Sequence, residues 1–243
     1  MSRKQSRAAS NSLRHQVEAL LEQDLPLAIV QAGDPVLRQR VEPFEGQFSD
    51  AVLHDLISAM RITMHRAPGV GLAAPQIGLG LQLAVLEDQI ADDDTEIEDP
   101  RERSNLPFRV IINPKYEPIV DDGTVAFYEG CLSVEGYQAV VARPRTVRLT
   151  GFDEAGNALD EVISGWPARI IQHEIDHLHG TLYLDRAEIR SLATPKHVGE
   201  LWWHDVPVPA AKRLGFDLPG SSNASGDVSG LNGFDLSGAG EEE

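Results

Sequence analysis

His173, Glu174 and His177 stand in the order HExxH. On a helix, residues four apart share a face, so both imidazoles can reach a single ion. The glutamate, one position from a ligand, can approach a water on that ion without taking a ligand place. A bound metal lowers the pKa of such a water by several units, towards roughly 7 for zinc. The carboxylate can then take the proton and later hand it to a leaving amine. Ala168, Ile170, Ile171 and Leu178 surround the motif, which makes its helix half-buried, a setting where titratable side chains need partners. Two protein ligands are too few for a stable site, so a third must come from elsewhere. Cys131 is the soft candidate and the only cysteine in the chain. Glu188 and Glu200 downstream would instead complete a zincin-type endopeptidase. A third reading makes Cys131 a nucleophile with His173 as its base. The remaining histidines, among them His54, His65 and His179, read as ordinary core or surface residues.

Elements must position these side chains, and the chain of 243 residues is long enough for one core with extensions. Residues 12–21 carry a short amphipathic helix, and Ser49 or Asp50 caps a stronger one whose stripe is Val52, Leu53, Leu56, Met60 and Met64. A loop of small residues follows. Residues 81–86 and 108–113 are candidate strands, the second ended by Pro114. Residues 127–134 hold Cys131; residues 138–141 and 146–152 continue the β pattern, and 153–163 form a hairpin. Pro167 opens the helix through His177, and Gly180 closes it. Strands in the middle with few helices indicate an α+β fold. A single cysteine allows no intramolecular disulfide and fits a reducing compartment. No apolar run approaches a membrane span. The formal charge of −17 is concentrated in the nine acids of residues 87–103 and the five of 218–243, both expected to be solvated and flexible. This leaves no general basicity for a nucleic-acid surface. The basic, Ser-rich opening fits a bacterial N-terminal extension, the preferred reading, or an organellar transit peptide.

Three segments together resemble the peptide deformylase family: Gly69 to Gly78 (GVGLAAPQIG), Glu129 to Ser133 (EGCLS) and Gln172 to Leu178 (QHEIDHL). Their order and separations are also those of the family. The resemblance implies small antiparallel β-sheets packed around a central helix that bears the HExxH turn, with an N-terminal helix. It covers about residues 25–186 and implies a catalytic domain at 25–190 with an acidic insert at 88–106; extensions at 1–24 and 191–217 lie outside it, and the Gly-, Ser-, Asn- and Asp-rich residues 218–243 are expected to be disordered. It implies removal of the N-formyl group from the formyl-methionine of nascent polypeptides, with release of formate. Cys131, His173 and His177 would hold one divalent metal ion, Fe²⁺ in the cell, with Zn²⁺ or Ni²⁺ in preparations. Glu174 would be the general acid/base, and Gln76 and the Leu132 N–H would stabilise the oxyanion. The peptide would lie as an extra strand near Val70, Gly71 and Gly130, with Val70, Phe127, Trp166 and Ile170 around the methionine. The partners expected are the formylmethionyl peptide and, transiently, the ribosome, in a bacterial cytoplasm. Glu135 and Gln138 depart from the proline and arginine that many relatives carry. The part beyond Arg186 also lacks the long basic C-terminal helix that some bacterial members use at the ribosome.

Overall fold

A computed structural model describes residues 3–90, 99–202 and 206–218. Helix α1 spans Arg3–Leu21, longer than the 12–21 expected, and lays Leu13 and Val17 against the core. Helix α2 spans Asp50–Arg66, and its first turn is capped by Ser49, whose hydroxyl accepts from the Val52 N–H. Its apolar stripe is buried as its spacing requires: Leu53, Leu56, Ile57, Met60 and Met64 all face inward.

Among the described residues eight strands follow: β1 Gly71–Ala73, β2 Leu83–Asp88, β3 Leu106–Pro118, β4 Thr124–Cys131, β5 Val134–Pro144, β6 Thr146–Phe152, β7 Ala158–Ser164 and β8 Ala187–Ala193. They form two antiparallel sheets, one of order β1-β2-β3-β6-β7 and one of order β4-β5-β8. Helix α3, Gly165–Leu178, carries the HExxH turn. Strand β2 shows how the layers stack. Leu83 and Val85 join the core under α1 and α2, whereas Ala84 and Leu86 join the one that holds Ile170, Ile171, Ile175 and Leu178 of α3. Alternation along the strand thus buries both faces, so the larger sheet is covered by α1 and α2 on one side and α3 on the other. The smaller sheet closes over the remaining side of α3. The α+β expectation, small antiparallel sheets about this helix, is what the structure shows.

Three details differ from the sequence reading. Strand β3 does not stop at Pro114. It bulges between Ile112 and Lys115, with Asn113 at φ 50, and continues to Pro118. A bulge is where a residue without an N–H fits a strand, and Asn113 pins it by exchanging two 2.8 Å bonds with the backbone of Phe44. Second, the acidic stretch is not simply solvated at its ends. Glu87 and Asp88 are buried at the end of β2, paired with Arg61 and His65 and with Arg103 respectively. Residues 91–98 lie outside the described residues, as do Trp203, His204 and the tail from 219. Third, α3 begins two residues before Pro167, which sits in its first turn, where a missing N–H costs no helical bond. After β8 come two short helices, α4 Pro195–Leu201 and α5 Val208–Leu214, in place of one long basic helix.

Candidate metal centre and active-site cleft

Helix α3 follows directly on β7 and is stopped by a glycine turn. At its end Gly180 adopts φ 74, and a Cβ there would come within 2.7 Å of the Arg38 backbone, so only glycine lets the chain turn away. Cys131 arrives from the other sheet, at the last residue of β4, where the chain turns into β5. One ligand atom from each of Cys131, His173 and His177 lies within 4.8 Å of the others, the cluster of this kind found among the described residues. The sulfur stands 3.2 Å from Nε2 of His177. It also accepts from the Ser133 N–H at 3.4 Å and lies 3.6 Å from the Gln76 amide nitrogen. Glu188 and Glu200, the carboxylates considered for an endopeptidase, are engaged elsewhere, with the Arg190 N–H and with Lys196.

A buried ionic network stands behind the cluster. Nδ1 of His173 donates to Glu129 at 3.1 Å, which leaves Nε2 as the nitrogen available to an ion. Glu129 also accepts from Arg143, at 2.6 and 2.9 Å, and from Arg169. Arg143 continues to Asp176 at 2.8 Å, and Asp176 accepts two bonds from Arg186. Burial alone would raise the Glu129 carboxyl, but the guanidinium of Arg143, His173 and Arg169 outweigh it and hold it well below the usual range. His173 is also buried, yet Cys131 and Glu129 beside it raise its affinity for a proton well above the ordinary value. Burial and the neighbouring His173 push His177 the other way. Of the two histidines, only His173 thus has a carboxylate partner, Glu129.

Glu174 lies on the same helix, 4 % exposed, with Oε2 buried and without a hydrogen-bond partner. Burial pushes its carboxyl up to about 7. Gly71 passes so close that a Cβ there would collide with this carboxylate, which gives a steric reason for glycine at that position. Gln76 sits in a 3₁₀ turn, Ala74–Ile77, and its Oε1 accepts from the Ala73 N–H at 2.8 Å. With its oxygen engaged, its NH₂ is aimed at the sulfur and the cleft.

Gln76, Glu129, Cys131, Arg169, His173 and Glu174 border one cavity of about 960 Å³. Val70, Gly71, Gly130, Leu132, Phe127, Trp166 and Ile170 line it too, so every residue selected from the sequence borders it except His177, which is buried beside Cys131. The cavity is flanked by β1 and β4, each an edge strand of its own sheet. Sequence reasoning missed five members of the setting. Glu129, Arg143, Arg169 and Asp176 are buried charges, and Tyr183 stacks on the His173 ring at 6.2 Å. Arg169 also lies over the rings of Phe127 and Trp166, at 5.1 and 5.8 Å, so the apolar pocket has a cationic wall. Glu129 and Asp176 lie inside the recognised segments, a hint that went unused; nothing in the sequence marks Arg143 as buried.

An HExxH helix facing a cysteine from a neighbouring sheet, with a buried carboxylate on one histidine, defines a metallohydrolase. The profile of the polypeptide deformylase family matches residues 26–192. Peptide deformylase 1 of Streptomyces coelicolor is 57 % identical over 208 residues, 86 % of this chain and 94 % of that protein. A Synechococcus elongatus peptide deformylase solved in complex with actinonin is 34 % identical with a TM-score of 0.56, covering 80 % of this chain and 89 % of its own. The Met-Ala-Ser-bound class I type b enzyme of Acinetobacter baumannii is 28 % identical with a TM-score of 0.60, covering 68 % and 99 %. The chain belongs to the polypeptide deformylase family and is an enzyme, a metal-binding hydrolase.

Proposed function

We propose that residues 25–190 form a catalytic domain that removes the N-formyl group from formyl-methionine at the start of nascent polypeptides, releasing formate. The observation that carries this reading is the convergence of Cys131, His173 and His177 beside Glu174 in a cleft between two free strand edges. One sulfur and two imidazoles suit Zn²⁺ or Fe²⁺, and the orphaned Glu174 oxygen and the Glu129–His173 bond fit an ion held there. Fe²⁺ is the ion proposed for the cell, with Zn²⁺ or Ni²⁺ in preparations. When bound, it supplies Lewis acidity that eases deprotonation of water at neutral pH and polarises the formyl carbonyl.

The protein's own groups supply the rest. Glu174 takes a proton from the attacking water and returns it to the amine nitrogen as the C–N bond breaks. The Gln76 amide and the backbone N–H of Leu132 donate to the oxygen that becomes negative, each for about 3 kcal/mol or more of transition-state stabilisation. The peptide pairs as an added strand with the edges near Val70, Gly71 and Gly130, a backbone recognition that accepts many sequences. Its methionine side chain enters between Val70, Phe127, Trp166 and Ile170. Glu129, Arg143 and Asp176 hold His173 and α3 in register, a positioning role. Such a substrate implies a transient encounter with the ribosome, in the cytoplasm of a bacterium. Among the described residues no helix is long and apolar enough to cross a membrane.

The test is an anaerobic assay of formate release from formyl-Met-Ala-Ser, with metal analysis of the same sample. Formate release with about one ion per chain is expected, and Cys131→Ala should lose the ion. Full metal retention in that variant would sink the assignment.

A further inference from the structure

Two segments outside the three recognised motifs border the cleft: the C-terminal one, through Val198 and Trp202, and residues 29–32, through Ile29 and Gln31. The second is bonded to both residues read as oxyanion donors, Gln76 and Leu132, which lie on separate parts of the chain. The Val30 N–H donates to the Gln76 carbonyl at 2.9 Å. The Gln31 amide nitrogen donates to the Leu132 carbonyl at 3.0 Å, and its Oε1 accepts from the Glu135 N–H at 3.2 Å. The Ala32 N–H then donates to the Ser133 carbonyl at 2.7 Å.

These bonds fall where the small sheet cannot supply its own. Leu132 and Ser133 are the two residues between β4 and β5, and Cys131 pairs with Val134 across them. The next pair is Gly130 with Gln138, so the register shifts and residues 135–137 are extra on β5. The Leu132 and Ser133 carbonyls and the Glu135 N–H find their partners in Gln31 and Ala32 rather than in the sheet. The bracing segment is itself anchored on either side. The Leu27 N–H donates to the Thr63 hydroxyl of α2 at 2.9 Å, and Asp34 caps a 3₁₀ turn, Pro35–Arg38, whose Leu37 is fully buried.

We propose that Gln31 is a positioning residue for the hydrolysis, holding the Leu132 N–H in a fixed relation to the Gln76 amide. This rests on the reading of those two groups as donors to the oxyanion. Such donors work by preorganisation: they must already point at an oxygen whose charge appears only in the transition state. The backbone bonds of Val30 and Ala32 survive any side-chain change, whereas the clamp on Leu132 and Glu135 depends on the Gln31 amide alone. Its one other bond is to the Ile29 carbonyl, so it touches neither the grouped ligands nor Glu174. Its loss therefore falls on the transition state and spares the ion.

The full-length, metal-loaded enzyme is assayed on formyl-Met-Ala-Ser. Gln31→Ala should lower kcat about tenfold and leave KM within about twofold, because a displaced donor weakens the transition state more than the bound peptide. Metal content and Tm should stay as in wild type, since the side chain is exposed. Gln31→Glu keeps the acceptor for Glu135 but cannot donate to Leu132, and it should be at least as impaired in kcat. Gln76→Ala, which deletes a donor outright, should lose about 10²- to 10³-fold. Wild-type kcat in either Gln31 variant beside an impaired Gln76→Ala would overturn the brace alone. A loss confined to KM, or one accompanied by loss of the ion, would do the same. Wild-type kcat in Gln76→Ala would overturn the oxyanion reading, and absence of formate from wild type the deformylation reading; the brace falls with either.

Discussion

Glu174 is the residue on which the chemistry turns, and its surroundings explain how a carboxylate can serve both as base and as acid. Burial removes water from it and raises its pKa to about 7, so proton loss and gain are nearly balanced at neutrality. It stands on the same helix as two of the three grouped ligands, yet it is not one of them. Glu174→Ala should therefore keep its metal and lose roughly 10²- to 10⁴-fold in kcat. Metal content and formate release, measured on one preparation, check this together. Unchanged turnover would remove Glu174 from the mechanism, and loss of the ion would show it to be a ligand. The neighbouring Gly71 belongs to the same argument, since its missing side chain is what gives the Glu174 carboxylate its place.

At the scale of elements, the site depends on α3 keeping one rotation between two sheets. Apolar packing holds its face to the larger sheet, through Ile171 and Ile175. Ionic bonds hold it to the smaller one, where Arg143 of β5 joins Glu129 of β4 to Asp176 of α3. Arg143 is 2 % exposed and makes three of these bonds, so Arg143→Met would leave two buried carboxylates short of a partner. The expected loss is about 3–5 kcal/mol of stability. Denaturant titration measures it, and metal affinity should fall in parallel because His173 loses its fixed carboxylate. A variant as stable as wild type would mean that Arg169 and Arg186 suffice for the network.

For the whole molecule, the same network sets the response to acid. The Glu129 carboxyl is held well below its ordinary range, mainly by Arg143, His173 and Arg169 against the cost of burial. Glu87, buried but bonded to Arg61 and His65, is lowered as well. A lowered carboxyl stabilises the fold when ionised. That contribution is complete above the unfolded value, about 4.3, and is lost as pH falls through the lower folded values. Thermal unfolding should thus show a Tm that falls steeply as the pH drops below about 5. A Tm level down to about pH 2 would contradict a stabilising role for these pairs.

The HExxH turn, the cysteine and the capped, striped helix α2 were legible from the residues because they are local patterns. A helical period or a ligand spacing does not depend on distant chain. The three segments that resemble the family made the reaction legible as well. Other features depend on long-range contacts, and these went unread: the bulge that carries β3 past Pro114, the pairing of Glu87 and Asp88, and the burial of Arg143 and Arg169. A buried charge is tolerable only once its partners are in place, and those partners lie up to 44 residues away, as for His173 and Glu129. The sequence by itself determined which atoms could bind an ion and move a proton. Only the tertiary structure decided that they meet, and that β1, β4 and the C-terminal segment frame one cleft around them. The reason is physical: ligand identity resides in single side chains, whereas a shared cavity arises from packing two sheets against one helix.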